Sequence, residues 1–385
     1  MKRYGDLWNK IIDKENIRQA HKKARKDKSF YSEVQYVDEH LEECVDKIHE
    51  MLKNKTYTIK PSDYTKFTKW DKTKFRDIYK LNYFPHRIIQ WCLLLQTQYI
   101  FINSFISQTY ASLPNRGIHL ALKTLREYSQ DKNNTQYCLK IDIHHFYPSI
   151  NRKINKKQLK NKFKDKDVLW LMFMLIDSLE GDKGIAIGSL FSQYDGNFVL
   201  TPFDHWIKEE KKVKYYERYC DDMIFLSNSK EELHELLKEI KIYLKDNLDL
   251  ELKDNYQIFP VDDRGIDFLG YRSFRNYTIL RKTTYKKYKR KMLRISKLYK
   301  QHGNLTYSQV CTINSYLGWI KWCNCDNLII KYYNNLNLDI ALKEFNKEKD
   351  KNKRRKKWSK ICKQYNEVIK FLNKQNIIME CKEWR

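Results

Sequence analysis

The stretch Tyr219-Cys220-Asp221-Asp222 constrains this chain more than any other. Two adjacent carboxylates stand between Tyr215-Tyr216-Glu217-Arg218 and the apolar run Met223-Ile224-Phe225-Leu226. The pattern reads as strand, tight turn, strand, with the acids at the tip. Neighbouring carboxylates repel unless solvent or a cation offsets their charge. Hard oxygen ligands on a rigid hairpin are what a divalent-metal site needs. Taken alone, an Asp-Asp pair reads as ordinary turn chemistry.

An upstream segment shifts that balance. Residues Tyr137 to Ile150 predict an apolar strand ending on Asp142, then a short aromatic turn, then a helix beginning near Ser149 or Asn151. Asp142 with Asp221 and Asp222 supplies three acids for two-metal phosphoryl transfer. In that chemistry two ions about 4 Å apart activate a hydroxyl and stabilise the leaving pyrophosphate. Between the acids lies Gly184-Ile185-Ala186-Ile187-Gly188-Ser189-Leu190-Phe191-Ser192-Gln193, leading into a helix expected from Tyr194 to about Lys208. Glycines ahead of a helix let backbone approach a ligand closely.

In this order the three segments resemble the palm of a reverse transcriptase. The Asp142 segment resembles polymerase motif A, the Gly188 to Gln193 loop motif B, and Tyr219 to Asp222 motif C. Leu252 to Phe259 resembles the motif D lysine region, with Lys253 the lysine, and Gly265 to Tyr271 resembles the primer-grip hairpin. Many bacterial members have a glutamine before the motif B glycine and a proline after its serine. This chain has Ile187-Gly188 and Ser192-Gln193, which resembles diversity-generating retroelement enzymes and related defence-associated bacterial reverse transcriptases. Lys22 to Lys26, Arg87-Ile88-Ile89-Gln90, and Tyr110 to Ala121 resemble the N-terminal basic helix, finger helix and palm entry of the same group.

The resemblance implies an α+β right-hand polymerase fold with fingers, a palm of antiparallel sheet backed by helices, and a helical thumb. The expected divisions are 1–105 for the N-terminal region and fingers, 106–275 for the palm with a finger-like return at 151–183, and 276–385 for the thumb and basic C-terminal region. Asp142 and Asp221 would ligate two Mg2+ ions, with Mn2+ as a substitute, Asp222 in support and the backbone at Ile143 facing the metal. Tyr147 falls at the steric-gate position that favours dNTPs. The backbone through Phe146 would face the triphosphate, while the Phe146 ring reads as core. Gly188, Ser189 and Gln193 would shape the nucleotide pocket. Lys253 is a proton donor to pyrophosphate or a plain surface lysine. Lys74, Arg76 and Arg87 would meet the triphosphate and template backbone, or belong to a solvated basic face. Phe268 to Tyr271 would hold the primer end.

Composition agrees with a nucleic-acid partner. The chain has 75 Lys+Arg against 48 Asp+Glu, a formal charge of +27, and counterion release drives binding of such a surface to phosphates. Ribosomal and membrane-surface proteins are basic too, so charge alone does not choose. The first residues lack an apolar signal core, and the most apolar run, Val168 to Ile176, is too short to span a bilayer, so a cytoplasmic protein without membrane contact is expected. Nine cysteines without a paired framework read as reduced thiols. Apolar residues recur at helical spacing in Leu41 to Leu52, Lys230 to Asp246, from Thr283 onward and in Tyr307 to Trp322, whereas Lys74 to Lys80 alternates like a strand.

The expected partners are an RNA template, a DNA primer with its cDNA product, and dNTPs. A dedicated noncoding RNA as template, and an accessory protein or homo-oligomer, follow from the retroelement and antiphage-defence resemblance. Template-independent or protein-primed synthesis on the same palm stays open, because it uses the same carboxylates. A silent RNA-binding scaffold would be indicated by loss of one of the three acids, and none is lost.

Overall fold

The computed structural model describes residues 3–71, 74–303 and 305–333. The basic run Arg354-Arg355-Lys356-Lys357 and Trp384 lie outside the described residues. The architecture is α+β, with antiparallel strand pairing and helices. The chain divides into two compact units, residues 1–124 with 131–259, and residues 125–130 with 260–385.

After the short helix Trp8–Ile12, the first unit continues with helices Lys14–Ala24, Ser32–Glu39 and Leu41–Lys53. Asp13 caps the helix Lys14–Ala24 by accepting from the N–H groups of Glu15 and Asn16. The helix Leu41–Lys53 buries Val45, Ile48 and Leu52 on the predicted stripe and adds Cys44. A two-stranded hairpin follows, β1 (Tyr64–Asp71) and β2 (Lys74–Leu81), paired from Tyr64↔Leu81 to Asp71↔Lys74. The helix Ile88–Ile102 is apolar on most faces and largely buried.

A four-stranded sheet then carries the acids. Its strands are β3 (Tyr137–Asp142), β4 (Tyr215–Tyr219), β5 (Asp222–Ser227) and β6 (Gln257–Pro260), in the order β4-β5-β3-β6. Leu139 and Ile141 of β3 stand opposite Phe225 and Met223 of β5, and all four side chains enter one core. The helix Lys230–Tyr243 adds Leu233, Leu236, Leu237 and Ile240 to that core, along the face expected from sequence. Ser229 caps it by accepting from the Glu232 N–H.

The helix expected at Tyr194 begins earlier, at Leu190. It runs as Leu190–Val199 and Thr201–His205, followed by a helical turn, Trp206–Glu210. The reason is capping: Ser189 accepts from the Ser192 N–H, and Gln90 accepts from the N–H groups of Leu190 (2.8 Å) and Phe191 (3.1 Å). The return between the first two acids holds helices Arg152–Lys162 and Lys166–Ile176, capped by Asn151 and Asp165.

The second unit has a three-stranded meander, β7 (Ile266–Phe268), β8 (Tyr271–Ser273) and β9 (Thr278–Leu280). The turn Leu269-Gly270 has positive φ at both residues, as a tight two-residue hairpin requires. Helices Lys282–His302, Tyr307–Ile320 and Asp326–Tyr333 follow, the second closed by a Thr306/Gln309 capping box. Among the described residues no helix is long and apolar enough to cross a membrane, and the described cysteines are free thiols.

Candidate active site

Sheet register brings the three acids together. Asp142 ends β3, Asp222 begins β5, and the two stand opposite each other. Asp221 sits in the two-residue turn Cys220-Asp221 that joins β4 to β5, where Cys220 takes φ +59°. Burial and the neighbouring Asp142 carboxylate push the Asp221 acid up to about 6.

The two flanking acids have different partners. The Lys253 ammonium meets Asp142 Oδ2, and the Lys253 N–H donates to the Asp142 carbonyl at 2.9 Å. Asp142 Oδ1 is buried and, among the described residues, accepts no hydrogen bond. Asp222 faces the Lys140 ammonium at 3.5 Å. Lys253 is therefore paired with a carboxylate in this structure, where the sequence left a plain surface lysine open.

The residues fit a divalent cation. An orphaned carboxylate oxygen on Asp142 and a repelled, protonation-prone Asp221 both gain from a positive charge between them. Among the described residues no three His, Cys, Asp or Glu side chains converge tightly enough to enclose an ion by themselves. Mg2+ is commonly held by one or two carboxylates, with water and substrate phosphates completing its shell.

After Asp142 the chain turns sharply. Ile143 is fully buried, and the His144 N–H donates to the Glu251 carbonyl at 2.7 Å. His145 takes a left-handed conformation with φ +45° and starts the helical turn Phe146–Ser149. The Phe146 ring lies in the core, as expected from sequence. Tyr147 is half-buried, and its hydroxyl lies 3.8 Å from Cys220 Sγ.

The glycine loop is fixed against β2. The Tyr79 N–H donates to the Ile187 carbonyl at 2.8 Å. Gly188 has φ +107°, and a Cβ there would stand 2.9 Å from the Tyr79 carbonyl oxygen, so no other residue fits without strain. Ser189 is buried and donates to Gln90 Oε1 at 3.1 Å. Gln193 is half-buried one turn further on. Lys74 and Arg76 lie on β2, opposite Asp71 and Lys69 in register. Arg87 precedes the helix Ile88–Ile102; burial pulls its pKa down, and among the described residues its Nε has no hydrogen-bond partner.

A buried network adjoins the turn that bears Asp221. Arg218 and Asp204 have side chains with 0% exposure. Arg218 Nε donates to Asp204 Oδ1 at 2.8 Å, and its Nη1 donates to Asn197 Oδ1 at 3.1 Å and to the Cys220 carbonyl at 2.9 Å. The Tyr216 hydroxyl donates to Asp204 at 2.6 Å. The turn that bears Asp221 is thus held by a guanidinium whose charge is balanced from the helix Thr201–His205. Neither Gln90 nor Arg218 stands out as a site residue in the sequence. Gln90's only local signal is its place beside Arg87, and Arg218 reads as an ordinary strand residue.

In the second unit, the Phe268 to Tyr271 turn packs on the helix Tyr307–Ile320. The Tyr271 ring stacks on Trp319 at 5.2 Å, and its hydroxyl donates to the Trp319 carbonyl at 3.0 Å.

Residues 67–273 match the family described as "Reverse transcriptase (RNA-dependent DNA polymerase)". Protein YkfC of Escherichia coli is 20% identical over 231 residues, covering 49% of this chain and 61% of that protein. The putative COX1/OXI3 intron 2 protein of Saccharomyces cerevisiae is 22% identical over 252 residues, covering 48% of this chain and 29% of that protein. Among solved structures, telomerase of Candida albicans with a fragment of telomeric RNA has a TM-score of 0.43 at 10% identity, covering 62% of this chain and 50% of that one. Apo telomerase of Candida tropicalis has a TM-score of 0.42 at 13% identity, covering 58% and 48%. The chain spans less than two thirds of the length of each of these relatives.

Proposed function

The chain belongs to the reverse transcriptase (RNA-dependent DNA polymerase) family, and we propose that it copies an RNA template into DNA by two-metal phosphoryl transfer at Asp142 and Asp221. The observation that carries this reading is the convergence of Asp142, Asp221 and Asp222 at one end of adjacent strands, with a buried, unpartnered oxygen on Asp142.

Asp142 and Asp221 hold Mg2+, with Asp222 and the Ile143 backbone in support. The bound metal supplies charge for the primer hydroxyl and the departing pyrophosphate. Lys253 pairs with Asp142 in the resting site and gives a proton to the departing pyrophosphate. The Tyr147 ring occupies the space a ribose 2′-hydroxyl needs, which favours dNTPs. Gly188, Ser189 and Gln193 shape the pocket for the incoming nucleotide. Lys74, Arg76 and Arg87 meet its triphosphate and the template backbone, by charge and by guanidinium–phosphate pairing. Phe268 to Tyr271 holds the primer end.

The finer setting is a bacterial retroelement or antiphage-defence system, cytoplasmic, with a dedicated noncoding RNA as template and an accessory protein or second copy as partner. Ile187-Gly188 and Ser192-Gln193 support it. A substrate swap tests the function: purified protein, Mg2+ and dNTPs, with a primed RNA template, a primed DNA template, or none. RNA-dependent incorporation is the expected result. Equal incorporation without template would replace the reading with untemplated synthesis.

A further inference from the structure

We infer that Gly196 is a positioning residue that sets the depth of the Tyr147 ring and thereby tunes nucleotide selection; this rests on the polymerase reading above. Gly196 is buried in the interior of the helix Leu190–Val199. Glycine is the least favourable helix residue after proline, so its presence there calls for a packing reason. The three atoms nearest a Cβ built at Gly196 all belong to Tyr147: Cε1 at 3.2 Å, Cζ at 3.4 Å and the hydroxyl oxygen at 3.4 Å. The glycine leaves out the one methyl that would press on this ring.

The ring cannot yield by moving its backbone. The Tyr147 carbonyl accepts from the Ile185 N–H at 3.0 Å. One residue on, Gly184 lies so close to Pro148 that a Cβ would stand 2.9 Å from the Pro148 carbonyl oxygen. On the side of the catalytic turn, Cys220 Sγ lies 3.8 Å from the Tyr147 hydroxyl. Helix, loop and turn together leave the half-buried ring only its open side, so a methyl at position 196 moves the ring a few tenths of an ångström into the space reserved for the nucleotide sugar.

The test is a double-mutant cycle with Gly196→Ala and Tyr147→Ala, read in two ways. Steady-state incorporation on a primed RNA template gives KM and kcat for dCTP and CTP. Gly196→Ala is expected to raise the dCTP KM by up to about tenfold with a smaller change in kcat, because the misplaced ring obstructs the sugar. Tyr147→Ala is expected to admit CTP, and adding Gly196→Ala to it should then change neither KM by more than about twofold, since the methyl no longer has a ring to push. Thermal unfolding is the second readout: Gly196→Ala should lower Tm in the parent and raise it in the Tyr147→Ala background, where only helix propensity remains. Equal effects of Gly196→Ala in both backgrounds, in KM or in Tm, overturn the inference while leaving the polymerase reading intact. A parent protein inert with every template and metal, yet coupled in unfolding, sinks the selectivity role together with that reading and leaves only the packing contact.

Discussion

Removing the Asp204 carboxylate should separate stability from catalysis at the turn bearing Asp221. Asp204 and Arg218 are both fully buried, 2.5 Å apart at their closest atoms. Taking away one member of such a pair costs about 3–5 kcal/mol, because the other is left charged and uncompensated in the interior. The Tyr216 hydroxyl also loses its acceptor, worth about 1 kcal/mol. Asp204→Ala should therefore lose about 4–6 kcal/mol, a large share of the roughly 5–15 kcal/mol available to a folded protein. Urea unfolding by circular dichroism measures it.

Replacing the pair as a unit behaves differently. Asp204→Leu with Arg218→Met exchanges two charges for apolar groups of similar bulk, and such exchanges are often neutral or stabilising. This double variant should recover most of the lost stability. It still lacks the donor to the Cys220 carbonyl, so primer extension should stay depressed by about tenfold or more, with a raised Mg2+ requirement, since small misplacements of a reacting group carry costs of that order. A double variant both stable and fully active would refute the claim that Arg218 positions the turn. An Asp204→Ala protein as stable as the parent would refute the network itself.

Other expectations follow from single contacts. Gly188→Ala forces a Cβ onto the Tyr79 carbonyl at φ +107° and should cost about 1–3 kcal/mol, read from the urea midpoint, with reduced incorporation from a displaced loop. Gln90→Ala strips the acceptor from the N–H groups of Leu190 and Phe191 and should cost about 1–3 kcal/mol in the same assay. Asp195 is fully buried, and burial pushes its acid up to about 7. Its native pKa thus lies above the unfolded value, so its contribution falls as pH rises from about 4 to about 7 and is level above. Asp195→Asn mimics the protonated acid and should gain stability over the parent at pH 8 and little or none at pH 4; equal differences at both pH values would contradict this.

The parts of the site legible in the sequence are those written in short-range patterns. Strand β3 runs largely apolar up to Asp142 and β5 runs apolar from Asp222, and an Asp pair between two strand-like runs marks a hairpin tip. The stripe of Leu233, Leu236, Leu237 and Ile240 fixes its helix by periodicity alone. What stayed hidden depends on distant partners. The helix start at Leu190 is set by Gln90, a hundred residues upstream, so a reading of the glycine loop by itself places it too late. Arg218 and Glu217 look like the solvent side of a strand, yet both are completely buried. Arg218 is balanced by Asp204, and burial drives the Glu217 acid far above the usual range. The burial of Arg218 depends on a carboxylate from a distant helix, and single-sequence periodicity cannot see that partner. Gly196 escaped for the same reason: its meaning lies in a tyrosine 49 positions earlier.

The most direct measurement is dNTP incorporation on a poly(rA)–oligo(dT) template–primer with Mg2+, comparing the parent with Asp142→Asn and Asp221→Asn, each shown folded by circular dichroism. The account predicts synthesis by the parent that requires the RNA strand and is lost in both variants. Synthesis that survives either substitution would contradict the assignment of these two carboxylates as the catalytic pair.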